Sequence, residues 1–218
     1  MKNAIVSISI LGANQDNIDH EIDHIKGAHI KWVHFDVMDG CFVKNKSFDK
    51  PFLKSVCEKI DVIKDVHIMI NDPLIHVSDY VDCGTDYLTF HYEACKDDSE
   101  VREVIKKIHS LKIKAGLSIK PNTPVDVVFP FLDELDLVLI MSVEPGYGGQ
   151  KFINASLDKI TSLRNKIDKK GLATIISVDG GINDKTAPLC LDAGVNVLVI
   201  GQYLFGHEDF LERYKRII

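Results

Sequence analysis

The sequence predicts an α/β fold, a single (β/α)8 barrel of the TIM type that takes up residues 1–218 as one domain. Two observations predict it. Short β-branched apolar runs recur at roughly 25- to 30-residue intervals, and the longer polar stretches between them carry helical spacing, the pattern of successive βα units. Eight such units in a chain of 218 residues favour a closed barrel over an open doubly wound sheet. No linker, low-complexity stretch or second domain interrupts the series.

The strand candidates are Ala4 to Leu11, Lys31 to Asp36, Val62 to Ile70, Tyr87 to His91, Ala115 to Ile119, Leu135 to Val143, Thr174 to Asp179 and Val195 to Gly201, with helices in the gaps. Asp16 or Asn17 is placed to cap the first helix, Asp72 with Pro73 to open the third, and Asn183 with Asp184 to open the seventh, because a side-chain oxygen there accepts an orphaned backbone N–H. Gly27, Gly84, Gly171 and Gly194 fall where helices should end and suit left-handed C-terminal caps.

Composition narrows the function. A formal net charge of −6 disfavours nucleic acid, which is gripped by clustered Lys and Arg. Lys106 with Lys107 and Lys169 with Lys170 read as solvated helix faces. The partner is expected to be a small molecule, bound by a homo-oligomer. The five cysteines, Cys41, Cys57, Cys83, Cys95 and Cys190, are odd in number and scattered, which points to neither a disulfide framework nor a thiolate metal site. The first apolar run turns polar at Asn14, too soon for a signal peptide or membrane span, and a cytoplasmic protein is expected.

Chemistry in such a barrel sits at the carboxyl ends of the strands, where residues two apart share a face. The second strand ends in Val33-His34-Phe35-Asp36-Val37-Met38-Asp39-Gly40, with His34, Asp36 and Met38 on one face. The third ends in Asp65-Val66-His67-Ile68-Met69 and the seventh in Val178-Asp179-Gly180-Gly181. A lone histidine there is more often a hydrogen-bonded core residue than a ligand, a lone aspartate more often a turn residue, and methionine by default fills core gaps. Jointly, two imidazoles and two carboxylates at one barrel mouth suit a divalent ion such as Zn2+, Fe2+, Mn2+ or Co2+. The run Pro145-Gly146-Tyr147-Gly148-Gly149-Gln150 reads equally as a plain turn or as a loop whose amides approach an anion.

Over nearly its whole length the chain resembles the ribulose-phosphate 3-epimerase family. The matching motifs, in family order, are His34-Phe35-Asp36-Val37-Met38-Asp39-Gly40, Asp65-Val66-His67-Ile68-Met69, Phe90-His91-Tyr92-Glu93-Ala94, Met141 through Phe152, and Val178-Asp179-Gly180-Gly181-Ile182-Asn183. The resemblance implies one divalent ion on His34, Asp36, His67 and Asp179, with Asp36 and Asp179 also the acid/base pair. It implies substrate contacts from Ser9, His67 and the thioethers of Met38, Met69 and Met141. The phosphate site implied is of the ribulose-phosphate-binding type, built from Gly146, Gly148, Gly149, Gly180, Gly181, Gly201 and Gln202.

The implied reaction is 3-epimerisation of D-ribulose 5-phosphate to D-xylulose 5-phosphate, by two-base proton transfer through a metal-stabilised enediolate. The nearest alternative is D-allulose 6-phosphate 3-epimerase. A phosphate-binding barrel decarboxylase or aldolase, or a catalytically silent barrel, stands further off, since the His, Asp, His, Asp set is complete. The chain departs from the family pattern at Ile8, Cys41, Lys44, Asp49 and Gln202, where proline, histidine, proline, glycine and serine are usual. The last four of these fall in loops expected to border the substrate.

Overall fold

The computed structural model describes residues 4–218; positions 1–3, the start of the expected domain, lie outside the described residues. Eight parallel strands close in chain order, β1 pairing with both β2 and β8. They are β1 Ile5–Ser9, β2 Trp32–Met38, β3 Ile63–Met69, β4 Tyr87–His91, β5 Lys114–Ile119, β6 Leu137–Met141, β7 Ile175–Asp179 and β8 Val197–Ile200. The α-helices are α1 Ile18–Gly27, α2 Lys50–Lys59, α3 Pro73–His76, α4 Asp98–Ser110, α5 Ser156–Lys170, α6 Thr186–Ala193 and α7 Phe210–Lys215.

Strand edges moved where pairing or turning decided them. β2 runs two residues past the expected Asp36 because Val37 and Met38 still pair with Ile68 and Met69. β6 stops at Met141, since the Ser142 N–H and hydroxyl instead bond the Asp179 carbonyl at the end of β7, both at 2.8 Å. Between β5 and β6 the expected α-helix is a 3-10 segment, Val125–Glu134, with Pro130 inside it. Proline has no N–H to give and its ring clashes with the preceding turn, so an α-helix is not sustained there.

Helix ends follow local chemistry, with some corrections. Neither Asp16 nor Asn17 caps α1 with its side chain; Asn14 Oδ1 accepts the Asp16 N–H at 3.1 Å and closes a 3-10 turn first. Asp72 precedes Pro73 of α3 as expected, but in a left-handed conformation with no side-chain cap. Asn183 Oδ1 accepts the N–H groups of Lys185 and Thr186 at 2.9 and 3.2 Å, leading the chain into α6. Gly84, Gly171 and Gly194 take positive φ at helix ends, whereas Gly27 lies within α1 and the left-handed turn falls on His29, φ 53°. Asp49, one of the departures, turns out to cap α2 through a 2.9 Å bond from the Phe52 N–H, and Asp97 caps α4.

Alternation along each strand divides the barrel into two environments. Val33, Phe35, Val66, Ile68, Leu88 and Phe90 point outward into the main core beneath the helices, all wholly buried. The inward set forms a smaller apolar plug of Trp32, Tyr87, Leu137, Leu139, Val197 and Val199, with the Trp32 and Tyr87 rings 4.7 Å apart. On the β1 to β4 side the inward residues above this plug are polar: Ser7, His34, Asp65, His67 and Thr89, all buried. The floor of the mouth is therefore apolar on one side and polar on the other. Among the described residues no helix is long and apolar enough to cross a membrane.

Candidate active site

Parallel register brings the polar residues together. Ser9 pairs with His34, His34 with Asp65, Asp36 with His67, and Met141 with Asp179. One ligand-capable atom from each of His34, Asp36, His67 and Asp179 lies within 4.8 Å of the others. The two histidines are fully buried, Asp36 nearly so, and Asp179 is partly exposed at the floor of the mouth.

Each imidazole is tied at one nitrogen and open at the other. His34 Nδ1 lies 2.8 Å from Asp65 Oδ2, which also accepts from the Ser7 hydroxyl at 3.3 Å. Asp65 Oδ2 is the acceptor for His34 Nδ1–H, which leaves Nε2 as the nitrogen that faces Asp36. His67 Nε2 lies 2.9 Å from His91 Nε2, and His91 Nδ1 lies 3.1 Å from Glu93 Oε2. The remaining nitrogens, His34 Nε2 and His67 Nδ1, each stand 3.4 Å from Asp36 Oδ1 and neither has a hydrogen-bond partner.

A buried polar atom left unpaired costs about 1–3 kcal/mol. Two such atoms converging on one carboxylate are donors in need of a shared partner, and the N and O donor set suits Zn2+, Fe2+, Mn2+ or Co2+ equally. The residues fit a divalent metal. A second trio, His20, Glu21 and His24, lies on α1 and does not border the cavity; Glu21 there accepts the Asn14 N–H and the His24 ring packs on Phe210.

The two carboxyl groups sit in opposite fields. For Asp36, burial favours the neutral form, but the His34 and His67 imidazoles outweigh it and hold the carboxyl well below the usual carboxylate range. Asp36 Oδ2 also accepts the Ser9 hydroxyl at 2.7 Å. For Asp179, burial and then the negative charge of Asp36 push the pKa up to about 7. For His34, burial disfavours the cation, yet Asp65 and Asp36 raise its pKa well above normal, while His67 is lowered mainly by burial.

Above the cluster opens a cavity of about 490 Å³, bordered by Ser9, Asp36, Met38, Met69, Met141 and Asp179 and walled by Gly146, Gly148, Gly149, Gly180, Gly181, Gly201 and Gln202. His34 and His67 do not border this cavity. Gly181 must be glycine: its φ is 65° and a Cβ would fall 2.6 Å from the Phe152 amide nitrogen. At Gly149, φ 74°, a Cβ would meet Gln202 Oε1 at 2.4 Å, so the Gln202 side chain lies against the glycine loop. Of the five departures only Gln202 borders the cavity. Ile8 faces the core, Cys41 and Lys44 are exposed, and Asp49 is the α2 cap.

Sequence reasoning assigned no role to Asp65, His91 or Glu93. Asp65 stands two residues before His67, on the same strand face, and His91 and Glu93 lie in a quoted motif, so the signal was present without a contact to interpret it. Asn183, Thr186, Tyr203, His207 and Arg213 also border the cavity and were not named as site residues.

A closed barrel whose cavity floor carries two carboxyls backed by buried imidazoles, with glycine walls at its carboxyl end, defines a (β/α)8-barrel enzyme. Solved structures agree on the fold. 3-Hexulose-6-phosphate synthase matches 100% of this chain and 98% of its own, at TM-score 0.72 and 16% identity. The 3-keto-L-gulonate-6-phosphate decarboxylase of Vibrio cholerae matches 98% and 95%, at TM-score 0.72 and 12% identity.

Sequence comparison goes further. Residues 5–205 match the ribulose-phosphate 3 epimerase family. The ribulose-phosphate 3-epimerase of Bacillus subtilis is 40% identical over 205 residues, covering 94% of this chain and 93% of its own. The chloroplastic ribulose-5-phosphate-3-epimerase of Arabidopsis thaliana is 39% identical over 215 residues, covering 98% and 75%. The chain belongs to the ribulose-phosphate 3-epimerase family and is an isomerase.

Proposed function

We propose that residues 1–218 act as one barrel domain that interconverts D-ribulose 5-phosphate and D-xylulose 5-phosphate by moving a proton at C3 between Asp36 and Asp179. The observation that carries this reading is geometric: Asp36 and Asp179 both border one cavity, and each offers an oxygen within 4.8 Å of the other's and of the His34 and His67 rings. A base and an acid at near-neutral pH are what inversion next to a ketone requires.

Asp36 removes the C3 proton and Asp179 returns one to the opposite face; in the reverse direction the roles exchange. The Ser9 hydroxyl orients Asp36 by donating to Oδ2, and Asp65 orients His34. His34, Asp36, His67 and Asp179 would hold one divalent ion. When bound, such an ion supplies Lewis-acid stabilisation of the negative charge that builds on the substrate oxygens. Met38, Met69 and Met141 border the cavity beside the carboxyls and offer polarizable, non-hydrogen-bonding surface to a planar intermediate. Backbone amides around Gly146, Gly148, Gly149, Gly180, Gly181 and Gly201, with Gln202, receive the phosphate.

With one end of the sugar gripped at the glycine wall and the reacting carbons at the carboxyls, chain length becomes a selection rule. A misplaced group in a pocket is worth about 1–3 kcal/mol, roughly 10- to 200-fold. The test is turnover of D-ribulose 5-phosphate and D-allulose 6-phosphate side by side, with protein of defined metal content. The expected result is a higher kcat/KM for the pentulose and loss of activity on chelation. A higher kcat/KM for the hexulose would overturn the substrate, and full activity in protein shown metal-free by elemental analysis would overturn the metal requirement.

A further inference from the structure

We propose that Glu93, acting through His91, fixes the tautomer of His67 so that its Nδ1 lone pair faces Asp36; both are positioning residues, and the inference rests on reading the cluster as a metal centre. The three side chains form one line of contacts: His67 Nε2 to His91 Nε2 at 2.9 Å, then His91 Nδ1 to Glu93 Oε2 at 3.1 Å. Both rings are fully buried.

Only two proton orders are possible for neutral rings in such a line. In one, Glu93 accepts from His91 Nδ1–H, His91 Nε2 accepts from His67 Nε2–H, and His67 Nδ1 is bare. In the other every proton is shifted by one site, and His67 Nδ1 carries hydrogen and is useless as a ligand. Asp36 Oδ1, 3.4 Å from His67 Nδ1, pulls toward the second order, and the far end opposes it. Glu93 Oε1 accepts the Lys120 backbone N–H at 2.7 Å and also the Thr123 hydroxyl. A backbone N–H can only donate, so Oε1 is committed as an acceptor. A carboxyl receiving two donors on one oxygen is stabilised as the anion, which leaves Oε2 free to accept, and an anion next to His91 Nδ1 draws the proton there.

The outcome parallels His34, whose tautomer is set directly by Asp65. For His67 the carboxylate lies one imidazole further out, so the partner of a ligand histidine is itself a histidine that must be oriented. The packing supports that orientation: the Phe42 ring lies 4.8 Å from the His91 ring, and Lys120 Nζ sits 3.9 Å from the other participant, Phe42.

Glu93→Gln tests the direction of the relay, because it is nearly isosteric and its polarity is forced. The Lys120 N–H demands the Gln oxygen, which turns the NH2 group toward His91 Nδ1 and reverses both rings. The primary readout is long-range 15N–1H correlation of the histidine rings in metal-free protein. The expected result is His67 protonated at Nε2 and His91 at Nδ1 in the wild type, both reversed in Glu93→Gln, and both unchanged in Thr123→Val, which keeps the carboxylate. Zn2+ affinity, measured against a competing chelator in a His20→Gln/His24→Gln background that removes the α1 trio, should fall about 10- to 100-fold in Glu93→Gln.

A proton on His67 Nδ1 in the wild type overturns the proposal, and this measurement needs no variant to fold. So does a Glu93→Gln protein with wild-type tautomers. Wild-type tautomers as described with no Zn2+ binding would instead sink the metal reading and leave the proton order of the relay established.

Discussion

Replacing Asp179 by Asn separates the two half-reactions that an epimerase must join. The Asp179 backbone carbonyl is held by the Ser142 N–H and hydroxyl, but its carboxyl takes no hydrogen bond from any described residue. The substitution therefore breaks no visible contact, and it removes a carboxyl whose charged form is disfavoured by burial and by Asp36. Freed of metal, the variant should unfold at no lower a urea concentration than wild type. Catalysis should fare differently. One general acid or base contributes about 10²- to 10⁴-fold, and at 1.36 kcal/mol per decade this is roughly 3–5 kcal/mol of barrier. Because Asp36 remains, the variant should still draw the C3 proton from the epimer whose hydrogen faces it and return deuterium to the same face. Proton NMR in D2O should thus show deuterium entering one epimer faster than that epimer inverts, with little exchange in the other. Turnover within a few-fold of wild type, or equal wash-in to both epimers, would refute the two-base assignment.

Three further outcomes are expected. Gly149→Ala places a Cβ 2.4 Å from Gln202 Oε1 at a φ of 74°, and should raise KM for the phosphorylated substrate with much smaller change in kcat, as steady-state kinetics will reveal. Phe90→Ala empties a fully buried outward position of β4 and should cost about 3–5 kcal/mol in urea unfolding. Glu93 is opposed by burial but held at about 2 chiefly by its bond from His91, so it contributes stability above its unfolded pKa that is lost as pH falls toward 2. Between pH 5.5 and pH 3, urea midpoints should show wild type losing about 1–2 kcal/mol more than Glu93→Gln; equal losses would remove that contribution.

Periodicity marked the eight βα units but not their closure, because a strand buried on both faces must be apolar along its length while a helix on a barrel need be apolar on one stripe only. The eight runs lie where the strands are, and the alternation of His34, Asp36 and Met38 already placed them on one face. What sequence could not supply was anything set by contacts between distant segments. Pro130 was visible, yet its effect on a whole connection needed the 3-10 segment to be seen. Gly27 looked like a helix stop, but the chain turned left-handed at His29 instead.

The site divides along the same line. Residue types and spacing determined that two imidazoles and two carboxylates belong at the carboxyl ends of β2, β3 and β7, since strand order and side-chain alternation are properties of the chain itself. Which nitrogen of each ring faces inward, why one carboxyl stays charged while its partner resists charge, and why Gln202 borders the cavity while Cys41, Lys44 and Asp49 do not were decided only in three dimensions. Hydrogen-bond direction, desolvation and Coulomb interaction all depend on distances between residues far apart in sequence, and the closed barrel is what makes those distances short.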